Sequence, residues 1–513
     1  MELELQTENY PGYRAFPAII DAHEETAETI VPDYSPDIVR IVDASACLLL
    51  REPLLSNGKA ELSGTVEVTL LYLADDAQGL RSMTYSLEMQ RTLEHETLKG
   101  ISVLTLEGHA CAPEVRLLNP RKLFTRVSVE VCAVPYRVET LSVCSGITQQ
   151  ADYHIETLES QHEVALLRAV REKDFVFSEE LTLPGSREPI RQLLTHGVKT
   201  RINDCRPMGN KVILKGAVCV SVLYADTDGT LHHHAAELPF SQILDGLEEM
   251  ESELLASASL YLTDCEVHLN DDDLAGDGRT VSVRISLHAA VTLRQLLKLR
   301  CITDLYSTSH ELNIQMENIE LLQLPQQMSR QMSMREQIET GSEVGSILCA
   351  NVCFGGVSMS HGAEGLILRT SATIRVLYLG ENGTPLCAER RREITLETDV
   401  SSADQLSVRS LCSGDIVTSL STQGLEVRFP VEFLLITQPE LRCSCLTAVQ
   451  VESSAEKPQD LPNLILRALS SEETLWDLAK QYRTTVNEIL TANELSDQSA
   501  AAVGELLLIP RRR

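Results

Sequence analysis

The chain has 513 residues, and 43% of them are hydrophobic, so several packed domains are expected and wholesale disorder is excluded. Its formal net charge is −30, from 74 acidic and 44 basic residues. Such a charge repels phosphate backbones and anionic lipid headgroups, which excludes nucleic acid and membrane surfaces as general partners.

Three expectations about location follow from the same composition. No apolar run approaches the length of about 18 residues that a membrane span needs, so we predict no transmembrane segment. The N-terminal residues lack the basic and apolar regions of a secretory signal, which favours a cytoplasmic protein. The cysteines lack CxxC spacing, even in the close pairs Cys349/Cys353 and Cys443/Cys445, so we interpret most of them as core residues of a reduced protein.

Three stretches, starting at Asn57, Gly209 and Glu364, share one pattern. Each has two alternating apolar runs, a Leu-Tyr pair and a turn rich in Asp, Asn or Gly, which is typical of half-buried strands and hairpins. The pairs are Leu71-Tyr72, Leu223-Tyr224 and Leu377-Tyr378, with spacings of 152 and 154 residues. The pattern predicts a threefold internal repeat.

Other positions extend the repeat upstream, since Val42, Leu194 and Leu348 follow the same spacing. We therefore predict a mainly β protein with three tandem antiparallel β-rich domains of about 150 residues each. The predicted domains are residues 12–150, 165–306 and 310–450, followed by a linker at 449–463 and a small domain at 464–513.

Two segments between these β-rich units, residues 154–172 and 312–339, have a helix-like composition, and we predict helical connectors there.

The C-terminal segment predicts a β-α-α-β domain with strands at 464–469 and 506–510. Ser470 and Glu473 have the spacing of a capping box, and Thr485 and Glu488 repeat it before a second amphipathic helix. The only tryptophan, Trp476, lies in the first helix, and we interpret it as the structural anchor of the small core rather than as a platform on which a ligand stacks. We expect residues 462–513 to fold alone.

This segment resembles the LysM family through TLWDLAKQY, TTVNEIL and the terminal LLLIP. The resemblance implies binding of glycans that contain N-acetylglucosamine, such as peptidoglycan, in a groove between two loops. The implied walls are Ser471, Glu472, Glu473 and Thr474 on one side and Asn493, Glu494 and Leu495 on the other. Glu472 and Glu473 replace the usual Gly-Asp, a departure that favours a protein ligand over a sugar.

The three units, placed before a LysM-like segment, resemble the SPOCS-domain spore coat morphogenetic proteins of spore-forming clostridia. That resemblance implies a non-enzymatic adaptor in the mother cell, recruited to the forespore surface and spore coat. Its implied partners are the SpoIVA-like ATPase of the coat basement layer and other coat proteins. The alternative is a peptidoglycan-binding protein that acts at the cell wall.

Catalytic and metal-binding signals are weak. His232–His234 and the acidic stretch Asn270–Gly278 are candidates for metal binding, yet their spacing fits a polar strand and a solvated hairpin tip better. The sequence contains no GxSxG, P-loop or HExxH motif. We predict no catalytic residue, no cofactor and no metal, and an enzyme is the least favoured function.

Overall fold

The computed structural model describes residues 1–75, 79–245, 254–270, 278–363, 365–400, 406–422, 424–454, 464–471, 473–497 and 502–510. The described chain is mainly β, with two short α-helices near its end. Every pairing between its named strands is antiparallel. The predicted fold class, mainly β with a small β-α-α-β domain at the C-terminus, is confirmed at this level.

The strands fall into three sequential units. Unit 1 contains β1 (Leu5–Ala15), β2 (Ile19–Ile30), β3 (Ile38–Leu50), β4 (Leu54–Ser56), β5 (Lys59–Ala74), β6 (Leu80–Glu94), β7 (Val103–Ala110), β8 (Glu114–Asn119) and β9 (Lys122–Ile147). Unit 2 contains β10 (Ile155–Thr182), β11 (Gln192–Met208), β12 (Lys211–Ala225), β13 (Leu231–Leu244), β14 (Leu254–Leu269) and β15 (Thr280–Ser307). Unit 3 contains β16 (His310–Leu322), β17 (Gln326–Ile338), β18 (Val344–Phe354), β19 (Ser358–His361), β20 (Leu366–Gly380), β21 (Pro385–Glu397), β22 (Leu406–Cys412), β23 (Val417–Ser421), β24 (Gly424–Thr437) and β25 (Glu440–Ser454). The C-terminal module contains β26 (Leu464–Ala468), α1 (Leu475–Tyr482), α2 (Val486–Ala492) and β27 (Leu506–Pro510).

Each unit holds a three-stranded meander whose middle strand, β5, β12 or β20, carries the Leu-Tyr pair. The three tyrosines occupy equivalent, buried positions in these strands. Tyr72 lies opposite Ile41 and Arg81, Tyr224 opposite Leu193 and His232, and Tyr378 opposite Ile347 and Leu386. The predicted equivalence of the tyrosines is therefore confirmed.

Each unit also has a long ribbon, in which its opening strand pairs with its closing strand. In unit 2 these are the unbroken β10 and β15, paired from Ile155 to Thr182 with two irregularities. In unit 1 the opening strand is divided into β1 and β2 around Pro17, and in unit 3 it is divided into β16 and β17 around Pro325. Pro17 and Pro325 donate no ladder hydrogen bond at these two points, which is consistent with the breaks.

The meanders of all three units meet in one apolar cluster, which we name the central cluster. Its buried members are Val42, Leu71 and Leu80 from unit 1, Leu194 and Leu223 from unit 2, and Leu377 from unit 3. The leucines of the three Leu-Tyr pairs thus face one another, while the adjacent tyrosines point into the separate core of each unit. Alternation of side chains along a strand produces this division.

One half of each of the three ribbons packs into a second shared core, which we name the ribbon bundle. It is formed by β1 and β9, by β10 and β15, and by β16 and β25. Its buried residues include Val143 and Ile147 from the first ribbon, Ile302 and Leu305 from the second, and Leu446 from the third. The units are joined at two places, so they form one body although each has its own core.

Both predicted helical connectors are wrong. Residues 154–172 form most of β10, and residues 312–339 form β16, β17 and the turn between them. Their helix-forming side chains lie on ribbons whose backbone groups are paired with a closing strand along nearly their whole length. Tertiary strand pairing thus overrides local propensity.

The predicted linker at 449–463 also needs correction, because residues 449–454 are the end of β25 and pair with β16. Residues 455–463 lie outside the described part of the chain. At the predicted boundary at 165, β10 continues without a break. β1 meets β10 at Tyr13 and Leu167, so units 1 and 2 share one sheet. The remaining boundaries that we predict for the three repeats, at 12, 150, 306, 310 and 450, stay predictions.

Two further expectations concern membrane spans and thiols. Neither described helix is long and apolar enough to cross a membrane. All fourteen cysteines are free thiols at buried or half-buried positions, as the interpretation of core residues predicted.

We expect Leu223→Ala to destabilise the whole body, because Leu223 is buried where the three units meet. Truncating a buried leucine costs about 2–5 kcal/mol, so the midpoint of thermal unfolding should fall clearly. Leu420→Ala is the matched control, since Leu420 is 63% exposed on β23. Equal midpoints for the two variants would show that the central cluster does not stabilise the protein.

Candidate functional site in the C-terminal module

The C-terminal module has the predicted β-α-α-β order. β26 pairs with β27 from Leu464 to Ala468, and the two helices cover this ribbon. Its core contains Leu475, Leu478 and Ala479 from α1 and Ile489 from α2, in the apolar spacing that the sequence predicts.

The predicted N-terminal cap is confirmed for α2 but not for α1. Thr485 caps α2, and Glu488 completes the predicted capping box. α1 is capped by Thr474 with Asp477, so the predicted pair of Ser470 and Glu473 is wrong. Thr474 has the extended backbone that an N-cap requires, one turn closer to the helix. Hydrogen bonds from the Thr474 hydroxyl and backbone N–H hold the pKa of Asp477 below its usual value.

Trp476 belongs to the module's core, as predicted, and only 7% of it is exposed. It also contacts unit 2. Its ring lies edge-on to Tyr306, with the centroids 4.9 Å apart, and its indole N–H donates to Asp304 Oδ2 at 2.8 Å. The single tryptophan is therefore both a core residue and an anchor between the module and the ribbon bundle.

Three further contacts complete this docking interface, which joins the module to the end of β15 and the start of β16. Lys480 Nζ donates to both carboxylate oxygens of Asp304, at 2.6 and 2.8 Å. The Tyr306 hydroxyl donates to the Thr484 carbonyl at 2.8 Å, and burial raises the pKa of Tyr306, which keeps the phenol protonated as a donor. Arg483 forms an ion pair with Glu311. Several directional contacts around one aromatic pair fix the orientation of the module on the body.

The first predicted groove wall lies in the loop between β26 and α1. Ser471 and Thr474 are exposed, and Glu472 lies outside the described residues. Glu473 is half-buried and accepts a hydrogen bond from Arg467 at 2.5 Å. The Arg467 guanidinium also lies 5.9 Å from the centre of the Tyr482 ring. Arg467 is thus an internal partner for one oxygen of the Glu473 carboxylate, whereas the other oxygen, Oε2, is buried without a hydrogen-bond partner among the described residues.

The second predicted wall has a mainly structural role. The Asn493 side chain donates to the Ile489 and Leu508 carbonyls and accepts from the Leu508 N–H, all at 2.7 Å. Leu495 packs against the core of the module. Only Glu494 is exposed, at a positive φ of 54°. Asn493 thus ties α2 to β27 and has little hydrogen-bonding capacity left for a ligand.

Docking leaves both loops accessible. The interface uses Trp476, Lys480 and Arg483, whereas Ser471, Thr474 and Glu494 are exposed at the described rim of the groove. This rim offers the Ser471 hydroxyl and the Glu494 carboxylate, because the Thr474 hydroxyl is engaged with Asp477 in the cap of α1. Such groups can accept hydrogen bonds from the basic side chains of a protein or from the hydroxyl and amide groups of a sugar.

The two candidates for metal binding from the sequence lie outside the C-terminal module. His232, His233 and His234 lie on β13, where neighbouring side chains point to opposite faces. His232 Nε2 is 2.8 Å from Asp226 Oδ2, and its ring stacks on Tyr224, so this histidine supports the turn. The stretch 270–278 lies largely outside the described residues. The sequence did not predict the roles of Asp304, Tyr306 and Lys480 in docking, because these residues match no motif.

The docking interface can be tested with the fluorescence of Trp476, the only tryptophan in the chain. We expect Asp304→Ala to remove the partner of the indole N–H and of Lys480. The emission should then shift to the red, and acrylamide should quench it more efficiently. Glu494→Gln, on the exposed rim of the same module, is the control and should leave both signals unchanged. Wild-type emission and quenching in Asp304→Ala would contradict the interface.

The comparisons with known proteins match a part of unit 2 and the C-terminal module, whereas the SPOCS-like character of units 1 and 3 stays a prediction. Residues 189–270, which cover β11 to β14 of unit 2, match the family model described as the SipL, SPOCS domain. Residues 470–510 match the model of the LysM domain. No curated protein matches the chain, and no solved structure matches it. The predicted recognition is confirmed: the chain carries a SipL-type SPOCS domain within its second unit and a C-terminal LysM domain docked against the end of that unit.

Proposed function

We propose that this protein is a non-enzymatic structural adaptor in spore coat assembly. It binds the SpoIVA-like ATPase of the coat basement layer in the mother cell, and thereby associates with the forespore surface and with other coat proteins. The observation that carries the proposal is the pairing of a SipL SPOCS domain with a C-terminal LysM domain in one chain. The SipL match itself suggests a role in sporulation, and the ATPase partner goes beyond that match.

The chemistry of the LysM rim favours a protein partner. Asn493 is engaged inside the module, and Glu473 is paired with Arg467. The exposed polar groups that remain on the described rim are the Ser471 hydroxyl and the Glu494 carboxylate. Burying the charge of Glu494 against a neutral sugar would carry a desolvation cost. A basic patch on a protein offsets that cost through charge-assisted hydrogen bonds.

The docking interface supports an adaptor in a second way. Because Trp476, Lys480 and Arg483 hold the module on the ribbon bundle, the exposed rim has a fixed orientation relative to the three units. A fixed orientation reduces the rotational freedom lost on binding. It also allows one partner to contact the rim and the body together.

The alternative function is binding of peptidoglycan or another N-acetylglucosamine glycan. The LysM match favours it, since that family is known chiefly for such ligands. The two functions differ in their ligand and in where the protein accumulates. A fluorescent fusion should form a ring around the forespore if the protein is a coat adaptor, and should mark septa or the wall of vegetative cells if it is a wall binder.

The proposed partner can be tested with the full chain and the purified ATPase. We expect Glu494→Lys to weaken the complex about tenfold in biolayer interferometry, because a cation would replace the exposed carboxylate of the rim. Glu61→Lys is the matched control, since Glu61 is an exposed glutamate on β5 and its reversal changes the net charge equally.

Calorimetry of the full chain with chitin oligomers and muropeptides tests the alternative in parallel. The proposal predicts no binding of these sugars. Micromolar binding of N-acetylglucosamine oligomers, together with ATPase affinity that is unchanged after removal of residues 464–513, would overturn the adaptor in favour of the wall binder.

A further inference from the structure

Three thiols converge inside the ribbon bundle. Cys301 lies on β15, and Cys443 and Cys445 lie on β25, so units 2 and 3 both contribute. All three are buried, with exposed fractions of 0, 4 and 3%. Their three sulfurs lie within 4.8 Å of one another, and they form the only such group of potential ligands among the described residues. We name them the sulfur cluster.

Strand geometry accounts for the convergence. Cys443 and Cys445 are two residues apart on β25, so both face the interior. On the facing ribbon, Cys301 lies opposite Ser160 of β10. The packing of these two ribbons against each other, through Val164, Leu299 and Leu321, brings the thiols together. This placement is a product of the fold, because 142 residues separate Cys301 from Cys443.

A nitrogen ligand lies beside the sulfur cluster. His162 is two residues from Ser160 on β10 and therefore faces the same side of the ribbon. Its Nε2 atom is 3.4 Å from Cys443 Sγ and 2.7 Å from Ser160 Oγ. An imidazole nitrogen that points toward buried thiols is a common ligand arrangement for a transition metal.

The separations that involve Cys443 fit a tetrahedral ion. With Zn–S bonds of about 2.3 Å and Zn–N bonds of about 2.0–2.1 Å, the edges of the tetrahedron are about 3.8 Å between two sulfurs and about 3.6 Å between sulfur and nitrogen. The sulfurs of Cys443 and Cys445 are 3.9 Å apart, and the distance from Cys443 Sγ to His162 Nε2 is 3.4 Å. His162 is not within 4.8 Å of all three sulfurs, so its side chain has to move closer to the other thiols to complete the coordination.

We propose that Cys301, Cys443, Cys445 and His162 form a structural zinc site that joins units 2 and 3. Three thiolates and one imidazole are a soft ligand set, which selects Zn²⁺ over hard cations such as Mg²⁺ or Ca²⁺. The ligands leave no open position, so the ion has a structural role. Binding displaces the thiol protons and neutralises most of the thiolate charge inside an apolar core.

A disulfide is the competing fate of these thiols. It requires Cβ atoms about 3.5–4.5 Å apart. Side chains two residues apart on one face of a strand stand about 6.6 Å apart, so a bridge between Cys443 and Cys445 would deform β25. A bridge from Cys301 to either of them would leave the third thiol unpaired. A single metal ion satisfies all three.

The site also relates to the docking of the LysM module. Cys301 precedes Asp304 by three residues on β15, and Asp304 holds both Trp476 and Lys480. An ion that fixes Cys301 against β25 therefore stabilises the surface on which the module is docked.

The first test is the metal content of the full chain, purified without chelators under reducing conditions and measured by mass spectrometry of the elements. We expect one zinc per chain in the wild type, near zero in Cys445→Ser, and a clear loss in His162→Ala. Cys219→Ser, a half-buried cysteine on β12, is the matched control and should retain one zinc. Zinc near zero in the wild type, or full occupancy in Cys445→Ser, would overturn the proposal.

The second test uses the unaltered chain, so it does not depend on the folding of a variant. Replacement of the native metal by Co²⁺ should give the ligand-field bands of a tetrahedral site together with thiolate charge-transfer bands. Zinc should protect Cys301, Cys443 and Cys445 from alkylation, and its removal should lower the midpoint of thermal unfolding. A Co²⁺ spectrum without thiolate bands, or a disulfide between Cys301 and Cys443 or Cys445 in the purified protein, would refute the zinc site.

Discussion

The contact of three leucine-rich strands at the central cluster is the constraint on which the rest of the structure depends. Leu71, Leu223 and Leu377 come from three repeats of one pattern, and they are buried together where the three units meet. A meander that hid its leucine alone would have to reverse the alternation that places the adjacent tyrosine in its own core. The repeats are therefore coupled by the same alternation that folds each of them.

The ribbons provide a second contact between the units. Each ribbon starts beside its own meander and extends into the ribbon bundle, where the strands of all three units pack around Val143, Ile302 and Leu446. The bundle in turn presents Asp304 and Tyr306 at its end, where the LysM domain docks through Trp476. The LysM domain, although it comes last in the sequence, thus docks on a surface that units 2 and 3 provide.

The sequence predicted the features that depend on local patterns. The alternation around each Leu-Tyr pair predicted the meanders, and the apolar spacing of α1 and α2 predicted the C-terminal module. The connectors were predicted wrongly as helices, since residues 154–172 are rich in helix formers and only pairing with β15 makes them a strand. Asp304 and Trp476, 172 residues apart, meet only after the units have packed.

The sulfur cluster is another feature that local sequence patterns do not predict. Cys443 and Cys445 were interpreted as core residues because they lack the spacing of a zinc ribbon, and their burial agrees with that interpretation. The other two proposed ligands, Cys301 and His162, lie on the ribbon of another unit. Ligands assembled across two ribbons leave no local motif, so tertiary structure is needed to find them.

A double-mutant cycle between Leu71→Ala and Leu377→Ala tests most directly whether the three units form one body. These residues belong to units 1 and 3, which are distant in sequence but share the central cluster. Residues that share a cluster show coupling energies of about 0.5–3 kcal/mol, which denaturant unfolding of the four proteins would measure. A coupling in this range is the predicted result. Effects that add within about 0.3–0.5 kcal/mol, as for independent sites, would contradict a shared core.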